Sequence, residues 1–176
     1  MKSEQGVTLI EVLVAIVLLA FGLIGIAAMQ TAAISNNVLS GEYMQAATLA
    51  ENMAERMRGN RDGVINGNYL TAAGAVGNPP VNCYASTCTS ANQAAWDLAV
   101  WYASVSGTTA LGNVPAGPAA NLPGAMVSVT CPATCDRDAV RMITVYWDGD
   151  RNGATGTGCN AGTATDLRCF RLPFVP

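Results

Sequence analysis

Histidine is absent from this chain of 176 residues. That absence removes the commonest general base, the commonest metal ligand and every triad built on imidazole. Charge is scarce as well: only 12% of residues are Asp, Glu, Lys or Arg, against a usual share of roughly 25%. With 51% hydrophobic residues, the balance is the reverse of that in a disordered chain. A basic surplus is also missing. The formal net charge is −3, whereas binding to phosphates needs a basic footprint, so nucleic acid is not an expected partner. No phosphate loop is present and no nucleophile has an evident base, so no catalytic residue, metal or cofactor is assigned and the chain is not expected to be an enzyme. The length suits one globular domain with a core plus one appended element.

What the chain does contain is unevenly distributed. Glu11 is followed by thirty uncharged residues before Glu42, and residues 12–29 are all apolar or glycine. Eighteen residues at about 1.5 Å each make about 27 Å of helix, close to the thickness of a hydrocarbon core. A cleaved secretory signal needs a basic start, a shorter apolar run and a small-x-small site after it. Here the start carries one Lys2 and one Glu4, and the run leads directly into more helix-forming sequence. Retention is therefore expected, with Lys2 favouring a cytoplasmic N-terminus. Glu11 is the anomaly. A carboxylate in a membrane helix costs about 2.5 to 3.5 kcal/mol at the bilayer centre and less near the interface. It reads either as a helix-start carboxylate among headgroups or as half of an ion pair.

The opening Met1-Lys2-Ser3-Glu4-Gln5-Gly6, followed by Val7-Thr8-Leu9-Ile10-Glu11-Val12-Leu13-Val14-Ala15, resembles the class III signal of type IV prepilins. The resemblance implies a leader over residues 1–6, cut by prepilin peptidase between Gly6 and Val7, and N-methylation of Val7. Most members begin the mature chain with phenylalanine, where this one has Val7. The resemblance also implies that Glu11 pairs with the N-terminal amine of a neighbouring subunit. A mature amine and a carboxylate four residues apart lie on one helix face. The stretch Ala46-Ala47-Thr48-Leu49-Ala50-Glu51-Asn52-Met53-Ala54-Glu55-Arg56-Met57-Arg58-Gly59-Asn60-Arg61 resembles more narrowly the minor pilins called PilV, the type IV pilus modification proteins.

Helical periodicity continues past the apolar run, with Ala46, Ala50, Met53, Ala54 and Met57 at spacings of three and four. It predicts a helix to about Arg58, stopped by Gly59, Asn60 and Gly63. Gly22, Gly25 and Gly41 interrupt the helix; they read as sites of close helix approach or of local unwinding. Residues 62–89 read as an uncharged Gly/Asn/Pro-rich loop. Ser90 then caps a short helix over residues 91–104, burying Ala94, Leu98, Trp101 and Tyr102 or Val105. Trp96 and Trp101 read as core residues. After a second Gly/Pro-rich loop at 107–123, residues 125–131, 139–147 and 167–172 read as strands of an antiparallel sheet. A turn at 132–138 and a long glycine-rich connection at 148–166 join them. The expected fold is an α+β roll, a long helix against a small sheet, and the pilin resemblance implies the same. The organisation is a leader at 1–6, a membrane or filament-core helix at 7–29, its outer half at 30–60 and a periplasmic globular domain at 61–176.

Six cysteines make an even set, suited to an oxidising compartment. Spacing favours Cys83 with Cys88, Cys131 with Cys135 and Cys159 with Cys169, although six cysteines allow fifteen connectivities. The last pair resembles the carboxy-terminal disulfide loop of many pilins. Residues 148–153 match the first half of a calcium loop through Asp148, Asp150 and Asn152, but Cys159 stands where the bidentate glutamate belongs. An Asp/Gly/Asn turn is the preferred reading, and no metal site is assigned. Arg137, Arg141, Arg168 and Arg171, interleaved with Asp136, Asp138 and Asp166, read as a solvated mixed-charge face.

The resemblance implies a structural subunit, a minor pilin that helps prime or modify type IV pilus assembly. Its partners would be other minor pilins, the major pilin, prepilin peptidase, the inner membrane and a tip adhesin. A minor pseudopilin of type II secretion shares the same N-terminal logic and stays open.

Overall fold

The computed structural model describes residues 8–107, 114, 120, 122–160 and 162–176. The chain divides into two compact units, Met1–Ser40 and Gly41–Pro176. Helix α1 spans Leu9–Gly59. The carbonyl of Thr8 opens it by accepting the N–H groups of Glu11 and Val12. Proline is absent from the whole span, and α1 runs unbroken through Gly22, Gly25 and Gly41. Arg56 and Arg58 occupy its last turn, where cations suit the negative end of the helix dipole.

The Gly41–Pro176 unit adds α2 (Arg61–Ile65), β1 (Thr71–Gly74), α3 (Ser90–Ser106), β2 (Met126–Thr130), β3 (Arg141–Trp147) and β4 (Arg168–Phe174). The four strands form one antiparallel sheet in the order β1-β2-β3-β4. Pro173 lies in β4, opposite Met142, and is tolerated because β4 is an edge strand with no further partner to lose.

Residues 62–89, expected as loop, contain most of α2 and all of β1. Asn60 caps α2 by accepting the Gly63 N–H. β1 carries only Thr-Ala-Ala-Gly, and pairing with β2, through an irregular register between Thr71 and Gly74, makes it a strand. The cap of α3 is Thr89, not Ser90: the Thr89 hydroxyl accepts the Asn92 N–H while its backbone is extended. The helix continues to Ser106 because Gly107, at φ +70°, supplies the left-handed residue that ends it.

Small and flexible side chains of α1 (Ala46, Ala50, Met53, Ala54, Met57) share one core with Leu98, Trp101 and Val105 of α3 and with Val127, Val129, Ile143, Val145 and Trp147 of the sheet. A second, smaller cluster holds Trp96, Ala99, Ala103 and Val114, with Cys83 packed against it. Disulfides join Cys83 to Cys88, Cys131 to Cys135 and Cys159 to Cys169.

Candidate functional site: an apolar helix with one carboxylate

In the Met1–Ser40 unit every described residue but Leu39 is exposed. The exposed side chains include Leu13, Ile16, Leu18, Leu19, Phe21, Leu23, Ile24 and Ile26. This part of α1 is long and apolar enough to cross a membrane. Glu11 stands in its first turn and shares one strip of helix surface with Val12, Ala15, Ile16 and Leu19. Its backbone N–H is used within the helix. Its carboxylate makes no hydrogen bond or ion pair with any described residue. A group that is expensive to strip of water is therefore displayed on an apolar surface without a partner among the described residues. Gly6 and Val7 lie outside the described residues.

The charges of the Gly41–Pro176 unit behave differently. Glu42 is 5% exposed, and both of its oxygens are engaged. Trp147 Nε1–H donates to Oε2 at 3.0 Å, and Arg151 donates to Oε1 at 3.1 Å. Tyr43 meets the Trp147 ring edge-on, with centroids 4.8 Å apart. Asp97, 4% exposed, accepts from the Tyr69 hydroxyl, Arg56 and Gln93.

Two family descriptions match the chain: the prokaryotic N-terminal methylation motif at residues 1–27 and Type IV pilin Tt1218 at residues 28–99. Type IV pilin family domains are present. No match was found among curated proteins or among solved structures. The pilin domains support a pilin or pseudopilin subunit, and such families are structural subunits rather than enzymes. Their fold agrees with the α+β arrangement of a long helix, a small antiparallel sheet and disulfides.

The charged residues around β3 and β4 need one correction. Arg141 is only 1% exposed, so the expected solvated face does not include it. Its guanidinium donates to the carbonyls of Ala139, Asp136 and Val64, which ties the β2–β3 connection to α2. Arg168 pairs with Asp150 at 2.8 Å, and that pairing lifts its pKa above the ordinary arginine value. Arg137 and Arg171 are exposed.

In the turn after β3, Asp148 accepts the N–H groups of Asn152 and Gly153. Asn152 donates to Ala164 and accepts from Ala154. The oxygens that matched half a calcium loop are thus engaged by the chain's own donors. Among the described residues, no group of three or more His, Cys, Asp or Glu converges on a point.

Glu42 escaped sequence reasoning because its partners lie 105 and 109 residues away. One signal was available: Glu42 is four residues before Ala46, so extending the apolar face back by one turn places a carboxylate in it.

Proposed function

We propose that this chain is a minor pilin, a structural subunit that helps prime or modify type IV pilus assembly after its leader is removed. On this reading residues 1–6 are the leader, 7–29 the membrane and then filament-core helix, 30–60 its outer half and 61–176 the globular domain. Prepilin peptidase cuts between Gly6 and Val7, and Val7 is N-methylated. Its partners are other minor pilins and the major pilin, first at the inner membrane and then in the fibre. The resemblance of residues 46–61 to PilV supports the minor-pilin assignment.

One observation carries the reading: the carboxylate of Glu11 has no partner among the described residues on an exposed apolar helix. In lipid, apolar helices gain nothing from each other through the hydrophobic effect, because the surrounding tails are equally apolar. Close packing and polar pairing must supply the selectivity. A cationic α-amine from an adjoining subunit offsets the cost of burying Glu11 and fixes one axial stagger between helices. Chemistry belongs to the peptidase and the assembly motor; this chain contributes shape and one charge.

The test is Glu11→Ala in cells. The variant is expected to insert in the inner membrane at wild-type level and to be depleted at least about tenfold from sheared pili, matching a loss of about 1.4 kcal/mol or more. Equal recovery of the two forms would falsify the pairing role. Deletion of the gene is expected to reduce surface piliation while type II secretion continues; the opposite result assigns the chain to a pseudopilus.

A further inference from the structure

The buried residues of α1 are Glu42, Ala46, Ala50, Met53, Ala54 and Met57. Apart from Glu42, this face nearly repeats itself every four residues, one turn and about 6 Å of rise. If α1 moved by four residues toward its own C-terminus, Ala46 would take the place of Ala50, Ala50 that of Ala54, and Met53 that of Met57. Leu49, already packed against this core, would take the place of Met53. The Trp101 indole, which donates to the Leu49 carbonyl at 2.9 Å, would meet the equivalent carbonyl of Gln45. Asn52 would bring an amide donor to Asp97 in place of Arg56. The opposite shift is blocked, because Arg58 and Arg61 would enter the places of Ala54 and Met57.

In the permitted direction Glu42 is the main obstacle. Glu42 would arrive where Ala46 now sits at 0% exposure, carrying a carboxylate into apolar packing away from Trp147 and Arg151. An unpaired buried charge is among the costliest defects a core can hold.

We propose that Glu42 fixes the axial register of α1 within the Gly41–Pro176 unit, because its carboxylate is matched at one position along the helix path and cannot be buried one turn further on. A buried ion pair is weak evidence for stability, since an apolar side chain of similar volume often serves as well; selecting one register is the better-attested use of such a residue. The turn after β3 is built for this role. Arg151 keeps a left-handed backbone at φ +52° although it is not glycine, a conformation that persists only where surrounding contacts impose it. Asp148 provides those contacts by holding the next two N–H groups. The hydrogen bonds of Asn60 to Tyr69 and Ser90 oppose the shift from the far end, so the displaced register is a minor state even without Glu42. The proposal concerns this unit alone and stands whether or not the chain enters a filament.

The experiment is NMR on the full chain in detergent micelles, following the Trp101 indole N–H in wild type, Glu42→Ala and Glu42→Gln. Wild type is expected to give one indole signal with cross-peaks to Leu49. Glu42→Ala, which extends the alanine repeat by one more step, is expected to add a second signal with cross-peaks to Gln45, about a tenth of the total intensity. Glu42→Gln is expected to keep one signal, because a buried unpaired amide is also penalised. A single native signal in Glu42→Ala overturns the proposal, as does a second register in Glu42→Gln. Loss of cooperative unfolding in Glu42→Ala overturns it too, since the carboxylate would then be a condition of folding and not of register.

Discussion

Asp97 gathers three donors on one buried carboxylate: Tyr69 at 2.6 Å, Gln93 at 2.9 Å and Arg56 at 3.2 Å. Asn60 donates to the Tyr69 oxygen and to the Ser90 carbonyl, so one network links the end of α1 to α3. Burial is the largest influence on the Tyr69 hydroxyl and raises its pKa well above the ordinary value; the hydrogen bond to Asp97 and the Asp97 charge push the same way, while Asn60 and Arg56 oppose them. The neutral phenol is therefore the folded form. Its contribution is fully present below the unfolded tyrosine pKa of about 10 and is lost as pH rises above it, because the unfolded chain then releases a proton that the folded chain retains. Tyr69→Phe is expected to cost about 1 to 2 kcal/mol in urea unfolding near neutral pH. The gap to wild type should narrow by about pH 11. A gap independent of pH would remove the phenol's protonation from the explanation.

The elements differ in how far local sequence determines them. α1 was legible because its signals agree: an unbroken apolar run, then a periodic face, then Arg56, Arg58 and Gly59 at the end. The three later strands were legible from β-branched and aromatic runs, although β4 reaches past its expected limit to include Pro173 and Phe174. β1 was not legible, since Thr-Ala-Ala-Gly has no strand preference of its own and owes its state to β2. The same division holds at the candidate site. Glu11 could be singled out because its oddity is local, a charge in an apolar run, whereas Glu42 acquires its meaning from a tryptophan and an arginine that only folding brings near. The ring closed by Cys83 and Cys88 does comparable work for α3. It sets Tyr84 edge-on to Trp96, with centroids 5.1 Å apart, and lays Cys83 against the smaller cluster. Replacing both cysteines by serine is expected to lower unfolding stability by about 2 kcal/mol, the loop-closure entropy of so short a ring. An unchanged urea midpoint would show that Trp96 and its neighbours hold this loop without the bond.

At the scale of the whole molecule, the two compact units are solvated in opposite ways. Gly41–Pro176 buries its own apolar side chains, whereas the described part of Met1–Ser40 leaves them exposed along α1, and an apolar surface of that extent implies lipid or protein as its surroundings. What the chain can assemble with depends on which N-terminus it presents there. On the proposed processing, cleavage after Gly6 would create an α-amine on Val7, four residues before Glu11 in the sequence, a spacing that puts two groups on one face of a regular helix. In its protonated form that amine would be a cation, and methylation would preserve the charge. Each subunit would then carry one positive and one negative group at the same end of its helix, so that neighbours can satisfy each other only when staggered along the fibre. Uncleaved, the chain would present Lys2 and Glu4 instead, and the geometry that matches amine to Glu11 would be lost. Intact-mass and N-terminal fragment measurements on the membrane-extracted protein are expected to give a chain that starts at methylated Val7 with all six cysteines oxidised. Recovery of residues 1–6 on the membrane form, or of a form that starts beyond Met29, would leave Glu11 without its counter-charge and end the filament reading.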